Sequence, residues 1–347
     1  MIDRFSEFVV DLVRWAWRPL VAVTVCLLPF VLLATIATDW GLLLVVFALG
    51  ASLYPLAKLF VYVDKHYPQF SPLRFTGDPP WKSAPPVETD RYSVHVGNDI
   101  YGQPVYLSPK EKPGLLATGE PGSGKTVFVK MFLANLRRRG AELTIIDLKN
   151  GGDFRPFAAA GVPLVTDLSD AVEALEAGVT KMRERQAEYA KAPEDKPVNF
   201  WQMPHSDRGA LIVYAIDEVQ QILDTTGAPK DEKELMERAA RALTSLVKLG
   251  RSAGVFTVVA TQKSDAKAIP TNFRDQIPVR ISGRQNTREA ARAALGELRD
   301  DDPRPDDFEV LPPGLPGRFV VAGVQPWAFV MQGFYLNDAE IKAVLTQ

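Results

Sequence analysis

Two apolar runs, then a proline-rich stretch, then a regular alternation of short apolar runs with amphipathic segments divide the 347-residue chain. The first run, LVAVTVCLLPFVLLATIAT from Leu20 to Thr38, carries no charge. As a helix it is roughly 28 Å long, close to a bilayer core. The second, GLLLVVFALGASLYPLAKLFVYV from Gly41 to Val63, has one charge, Lys58, near its end, where a long side chain can snorkel. Asp39 and Trp40 are all that separates them, so the pattern predicts a two-helix transmembrane hairpin, which with an amphipathic segment before it makes residues 1–64 the membrane anchor. A signal peptide is disfavoured, because a second span follows at once. Arg4, Arg14 and Arg18 precede the hairpin, and Lys65 and Arg74 follow it. That bias puts both termini on the cytoplasmic side of the cell membrane. Residues 1–18 place Phe5, Phe8, Val9, Leu12 and Val13 on one helical face, suited to the membrane surface.

Residues 65–90 read as a semi-rigid proline-rich linker. From 91 to 347 the pattern is that of one folded domain. RYSVHVG and QPVYLSP flank GNDIYG as a β-hairpin. Strands are then predicted at GLLATG, at 142–148, 211–217, 255–262 and 278–282, and near 319–335. Helices fall after residue 126 to about Arg139, over 169–190 and 232–249, from about Thr287, and at the end of the chain. Strands alternating with helices predict an α/β fold with a doubly wound, mostly parallel sheet.

Composition narrows the chemistry. Lys and Arg total 40 against 42 Asp and Glu, so any nucleic-acid contact has to be local. The one cysteine, Cys26, excludes a disulfide framework. The three histidines, His66, His95 and His205, do not pair at metal-ligand spacing and read as structural or surface residues.

The chemistry-bearing stretch is GEPGSGKT. Gly119, Glu120, Pro121, Gly122, Ser123, Gly124, Lys125 and Thr126 have the spacing of a phosphate-binding loop, with a strand before it and a helix after. In such a loop backbone N–H groups cradle the phosphates of ATP, Lys125 reaches the β- and γ-phosphates, and the Thr126 hydroxyl holds Mg²⁺. LIVYAIDEVQ supplies an apolar strand ending in two carboxylates. Asp217 is placed to hold Mg²⁺ through water, and Glu218 to polarise the attacking water. VVATQ ends a further strand at Gln262, which in a parallel sheet lies on the same edge and can sense the γ-phosphate or orient water, or simply be a polar strand end.

In order, GEPGSGKT, IIDLK, IDEVQ, GRSAGVFTVVATQ and PVRIS resemble the FtsK/SpoIIIE-type DNA translocases over roughly residues 91–335. The resemblance implies a RecA-like P-loop motor, a ring homo-hexamer and ATP-driven movement of double-stranded DNA. It puts Lys125, Thr126, Asp217, Glu218 and Gln262 on the family's motif positions. It also makes Arg251 an arginine finger toward the neighbouring subunit, with Arg284 and Arg274 as alternatives. Two spans, a short linker and a single motor resemble the transfer proteins of actinobacterial conjugative plasmids and integrative elements more than the four-span chromosome translocases. The expected function is therefore membrane-anchored, conjugative DNA transfer. Protein secretion by a related motor and a nucleotide-dependent membrane scaffold remain the competing readings.

With near-neutral charge, DNA contacts are expected in two loops at the nucleotide edge. One is Lys149 to Arg155; the other is Lys263 to Arg274, containing Lys267. Arg137, Arg138 and Arg139 end a helix and suit its dipole better than DNA. The acidic segment 297–309 is expected to be an exposed loop or an assembly contact.

Overall fold

The computed structural model describes residues 90–149, 152–191, 199–262 and 269–346, all within one compact unit, Phe75–Gln347. The expected membrane hairpin and all but the last residue of the linker lie outside the described residues, as do Lys263 and Lys267. No helix among the described residues is long and apolar enough to cross a membrane.

The strands are β1 (Val94–Asp99), β2 (Pro104–Leu107), β3 (Gly114–Thr118), β4 (Glu142–Asp147), β5 (Leu164–Val165), β6 (Ile212–Asp217), β7 (Val255–Thr261), β8 (Val279–Ser282), β9 (Arg318–Ala322) and β10 (Phe329–Gly333). The helices are α1 (Lys125–Arg138), α2 (Arg155–Ala159), α3 (Leu168–Ala190), α4 (Gln220–Leu223), α5 (Lys230–Leu249), α6 (Thr271–Arg274), α7 (Arg288–Leu295) and α8 (Asp338–Leu345). The strands form one ten-stranded sheet in the order β2-β1-β10-β9-β8-β3-β7-β6-β4-β5.

From β8 to β5 the neighbours are parallel. The chain leaves β3, builds β4, β6 and β7 on one side, and then crosses to β8 on the other. The strand order therefore reverses at β3, and such a reversal opens a crevice at the strands' carboxyl ends. The opening hairpin, read from the sequence as part of the same domain, shares the sheet with the parallel strands. β9 and β10 run antiparallel and join β8 to β1, so they continue the sheet into the hairpin.

Alternating strand residues feed two cores. Leu115, Ala117, Ile145, Val213 and Val258 face α1 through Phe128, Met131, Phe132 and Leu136. Leu116, Ile146, Ile216 and Val259 face α3 and α5 through Val172, Leu175, Leu243 and Leu246. The central strands β3 and β7 are buried along their whole length, as expected for parallel strands covered on both faces. The helices start where the sequence offers caps. The Asp167 side chain accepts from the Ser169 N–H at 2.8 Å, and Thr287 accepts from the Ala290 N–H at 3.1 Å.

α8 packs its Ile341 and Val344 into the core beside α1. Its start is a reciprocal capping box, with Asn337 and Glu340 each accepting from the other's backbone N–H at 2.9 Å. Replacing Asn337 by Ala should lower stability by about 1 kcal/mol, read as an earlier midpoint in urea with an unchanged slope.

Candidate active site

The sheet presents a row of polar strand ends. Thr118 stands beside Thr261 and Ser282, and Asp147 beside Asp217. All follow apolar strand interiors, so the polarity appears where the chain leaves the sheet at its carboxyl edge. The phosphate-binding loop follows Thr118, and α1 begins at Lys125.

The loop is braced from outside. The Gly317 N–H donates to the Ser123 carbonyl at 2.8 Å, and the Gly333 N–H donates to the Gly317 carbonyl at 2.8 Å. Gly124 has φ +91°, and a Cβ there would lie 2.6 Å from the Gly317 nitrogen. Arg284, just past β8, pairs with Glu120 at 2.9 Å. A cavity of about 180 Å³ opens beside the loop, lined among others by Glu120, Ser123, Arg284, Pro312 and Pro316.

Lys125 is 4 % exposed and points at the carboxylates. Its Nζ lies 3.0 Å from Glu218 Oε1 and 3.9 Å from Asp217 Oδ1. Lys149 Nζ reaches the same Glu218 Oε1 at 3.2 Å. Glu218 Oε2 accepts from the Gln262 backbone N–H at 3.1 Å and from the Thr261 hydroxyl at 3.4 Å. Glu218 is the one non-glycine among the described residues with positive φ, at 53°. Such a backbone conformation in a side chain with no exposure is strain kept for position.

The two carboxylates differ in proton affinity. Burial alone would raise Glu218, but the charge of Lys125, the Gln262 N–H and the two lysine hydrogen bonds outweigh it and hold Glu218 below the usual carboxylate range. Burial pushes Asp217 above its ordinary value; Lys125 opposes this, while Glu218 and Asp147 add to the rise. Asp217 Oδ1 and Ser123 Oγ are buried with no hydrogen-bond partner. Unpaired acceptors beside a buried lysine and a braced loop fit a nucleotide and its metal ion. Thr126 and Asp217 would be the residues to hold Mg²⁺, which would supply positive charge against the phosphates.

The structure thus places Lys125, Asp217, Glu218, Gln262 and the loop 119–126 together. It places Arg251 elsewhere. That residue sits in a 3-10 turn (Gly250–Ala253) before β7, at the opposite edge of the parallel strands. Seven residues of strand separate it from the site's edge, roughly 20 Å. Its backbone is clamped: the Trp201 indole N–H donates to the Arg251 carbonyl at 2.7 Å, and the Phe200 N–H to the Ser252 carbonyl at 2.8 Å. Its exposed side chain donates from Nε to the Lys110 carbonyl at 3.1 Å.

The alternatives to Arg251 are engaged. Arg284 pairs with Glu120 of its own loop. Arg274, with a side chain 13 % exposed, pairs with Asp275 and donates to the Arg292 and Ala293 carbonyls near the end of α7. It closes a helix end, which removes it from the DNA-contact set as well. Arg137 and Arg139 donate to the Ala141 and Arg91 carbonyls at the far end of α1, away from the site. The contact of Lys149 with Glu218 was not foreseen. Its signal was position: Lys149 lies two residues beyond the end of a strand paired directly with the strand carrying Asp217.

Parts of the chain are similar to known proteins. Residues 81–196 match the FtsK/SpoIIIE family. The match covers about a third of the chain and includes GEPGSGKT and IIDLK. Curated relatives include the transfer protein TraSA of Streptomyces ambofaciens, 28 % identical over 206 residues, covering 56 % of this chain and 49 % of that protein. The DNA translocase FtsK of Staphylococcus epidermidis is 24 % identical over 270 residues, covering 74 % of this chain and 32 % of that one. The chain therefore spans half or less of the length of these relatives. Among solved structures, the pCW3 conjugation coupling protein TcpA, in a monomer form with ATPγS, superposes with a TM-score of 0.67 at 22 % identity, covering 79 % of this chain and 74 % of that one. The cytoplasmic domain of the type VII secretion ATPase EccC of Thermomonospora curvata follows with 0.54 at 16 % identity, covering 76 % and 29 %. At these identities the structures speak for the fold.

Proposed function

We propose that the chain is a membrane-anchored ATPase that moves double-stranded DNA between cells. The observation that carries this reading is the meeting of Lys125, Asp217 and Glu218 at one sheet edge, in a chain related to a transfer protein and to DNA translocases. In the proposed reaction, ATP binds with its phosphates on the loop 119–126. Lys125 leaves Glu218 for the β- and γ-phosphates. The base and ribose extend toward the cavity beside Arg284 and Pro316. Glu218 takes a proton from water as the water oxygen bonds to the γ-phosphorus, and the bond to the bridging oxygen breaks, releasing ADP and phosphate. The Gln262 backbone N–H lies against Glu218, which supports a role for Gln262 in sensing that event.

Arg251 is too far from its own site to act there, which favours a finger presented to the next subunit of a homo-hexamer. The two apolar runs near the start anchor the assembly in the cytoplasmic membrane with both termini inside. DNA phosphates are met by the loop from Lys149 to Arg155 and by Lys263 and Lys267.

The test is ATP hydrolysis by the full chain, with and without linear duplex DNA, beside Lys125→Ala. Stimulation of tenfold or more by duplex DNA, absent in Lys125→Ala, is expected. Hydrolysis that ignores DNA but responds to a secreted protein would replace DNA with protein as cargo, and no hydrolysis under any condition would leave a scaffold.

A further inference from the structure

Two lysines meet on one buried carboxylate oxygen, and the proposed reaction uses only one of them. Every position on Glu218 is taken. Oε1 receives Lys125 at 3.0 Å and Lys149 at 3.2 Å, and Oε2 receives Gln262 and Thr261. A general base needs a lone pair free for the water it polarises. Nucleotide binding draws Lys125 to the phosphates and opens one place on Oε1 for water, but the Lys149 ammonium stays on the same oxygen and compensates the charge that would take the water's proton.

Lys149 is built differently from Lys125. Its side chain is 37 % exposed where that of Lys125 is 4 % exposed. It lies just past β4, and its backbone N–H donates to Asp147 Oδ1 at 3.2 Å. The base of the residue is therefore fixed, while a flexible stem carries the ammonium either inward to Glu218 or outward to solvent. The outward direction is the loop that the DNA reading assigns to phosphate contact. One ammonium cannot serve a buried carboxylate and a phosphodiester at once.

We propose that Lys149 is a latch on Glu218, its ammonium compensating the carboxylate's charge until a DNA phosphodiester takes the ammonium away. The inference rests on the DNA reading above and supplies its missing link, a reason for hydrolysis to wait for cargo. A duplex offers a dense row of phosphates, and releasing its condensed counterions favours the exchange. Lys149 is the exposed partner of the pair, but the Glu218 side chain has no exposure, so the phosphate contact and the water that enters have to offset the loss of the ammonium. Glu218 keeps Gln262 and Thr261 on Oε2 throughout, so the latch frees Oε1 without moving the carboxylate.

The experiment compares the full chain with Lys149→Met and Lys149→Arg. Four quantities are read: ATP turnover without DNA, turnover with saturating linear duplex, affinity for a fluorescent ATP analogue, and the salt dependence of duplex binding. For Lys149→Met, turnover without DNA should rise several-fold toward the stimulated rate of the parent. Stimulation should collapse toward one, with analogue affinity unchanged within about twofold. The slope of log affinity for duplex against log salt should shrink by about 0.9, the value for one phosphate contact. Lys149→Arg should restore both low resting turnover and stimulation.

Equal loss of turnover with and without DNA in Lys149→Met would overturn the latch and leave Lys149 a supporting residue. An intact stimulation ratio that merely needs more DNA would overturn it too, leaving a plain phosphate contact. If duplex stimulates no variant, the DNA reading falls by itself. The latch on Glu218 is then upheld by a raised resting rate in Lys149→Met and overturned by an unraised one.

Discussion

Glu218→Gln should lower the turnover of ATP by about 10²- to 10⁴-fold while leaving nucleotide binding nearly intact. The reasoning is geometric. Glutamine keeps the shape and one oxygen, so the Gln262 N–H retains an acceptor where it now meets Oε2 at 3.1 Å. What is lost is the anionic oxygen that receives both lysines and the water's proton. Lys125 keeps Asp217 at 3.9 Å as a counter-charge, so the buried ammonium is not left alone. A single-turnover assay with the pre-bound nucleotide reads the chemical step, and a fluorescent analogue reads binding. Loss of binding with an unchanged single-turnover rate would instead make Glu218 a mere holder of Lys125.

The strand ends were legible because each closes an apolar run with a polar residue, and a parallel sheet brings such ends to one edge. Asp217, Glu218 and Gln262 were therefore found from pattern alone, and so was the lysine at the start of α1. Contacts formed across long crossovers were not. Lys125 and Glu218 stand 93 residues apart, and Arg284 and Glu120 stand 164 apart. No periodicity encodes which of several cations will meet a given carboxylate. Lys149 and Arg274 had the same apparent use, as loop cations near the nucleotide edge. One reaches the buried base while the other closes the end of α7, and only packing separates them. β5, of two residues, and α2, of five, are too short to carry a period. The joining of the opening hairpin to the core through β10 was hidden as well, since pairing partners in a sheet need not be neighbours in sequence.

Gly124→Ala should reduce nucleotide affinity by at least about tenfold and lower the melting temperature. Two costs add. A left-handed backbone costs an alanine roughly 1–2 kcal/mol, and Gly124 has φ +91°. The new Cβ would also stand 2.6 Å from the Gly317 nitrogen, a backbone atom with no rotamer to yield. That nitrogen donates to the Ser123 carbonyl, and the Gly317 carbonyl accepts from Gly333. Pushing Gly317 away therefore loosens the phosphate loop and its tie to β10 together. Each 1.4 kcal/mol lost from the bound state is a tenfold loss of affinity. Gly122→Ala separates the two costs. Gly122 has φ +79°, but a Cβ there meets nothing within 4 Å. It should show only the backbone cost, with the Gly317 brace intact. Equal losses of affinity and melting temperature in the two variants would mean that the brace on Ser123 contributes nothing to holding the loop.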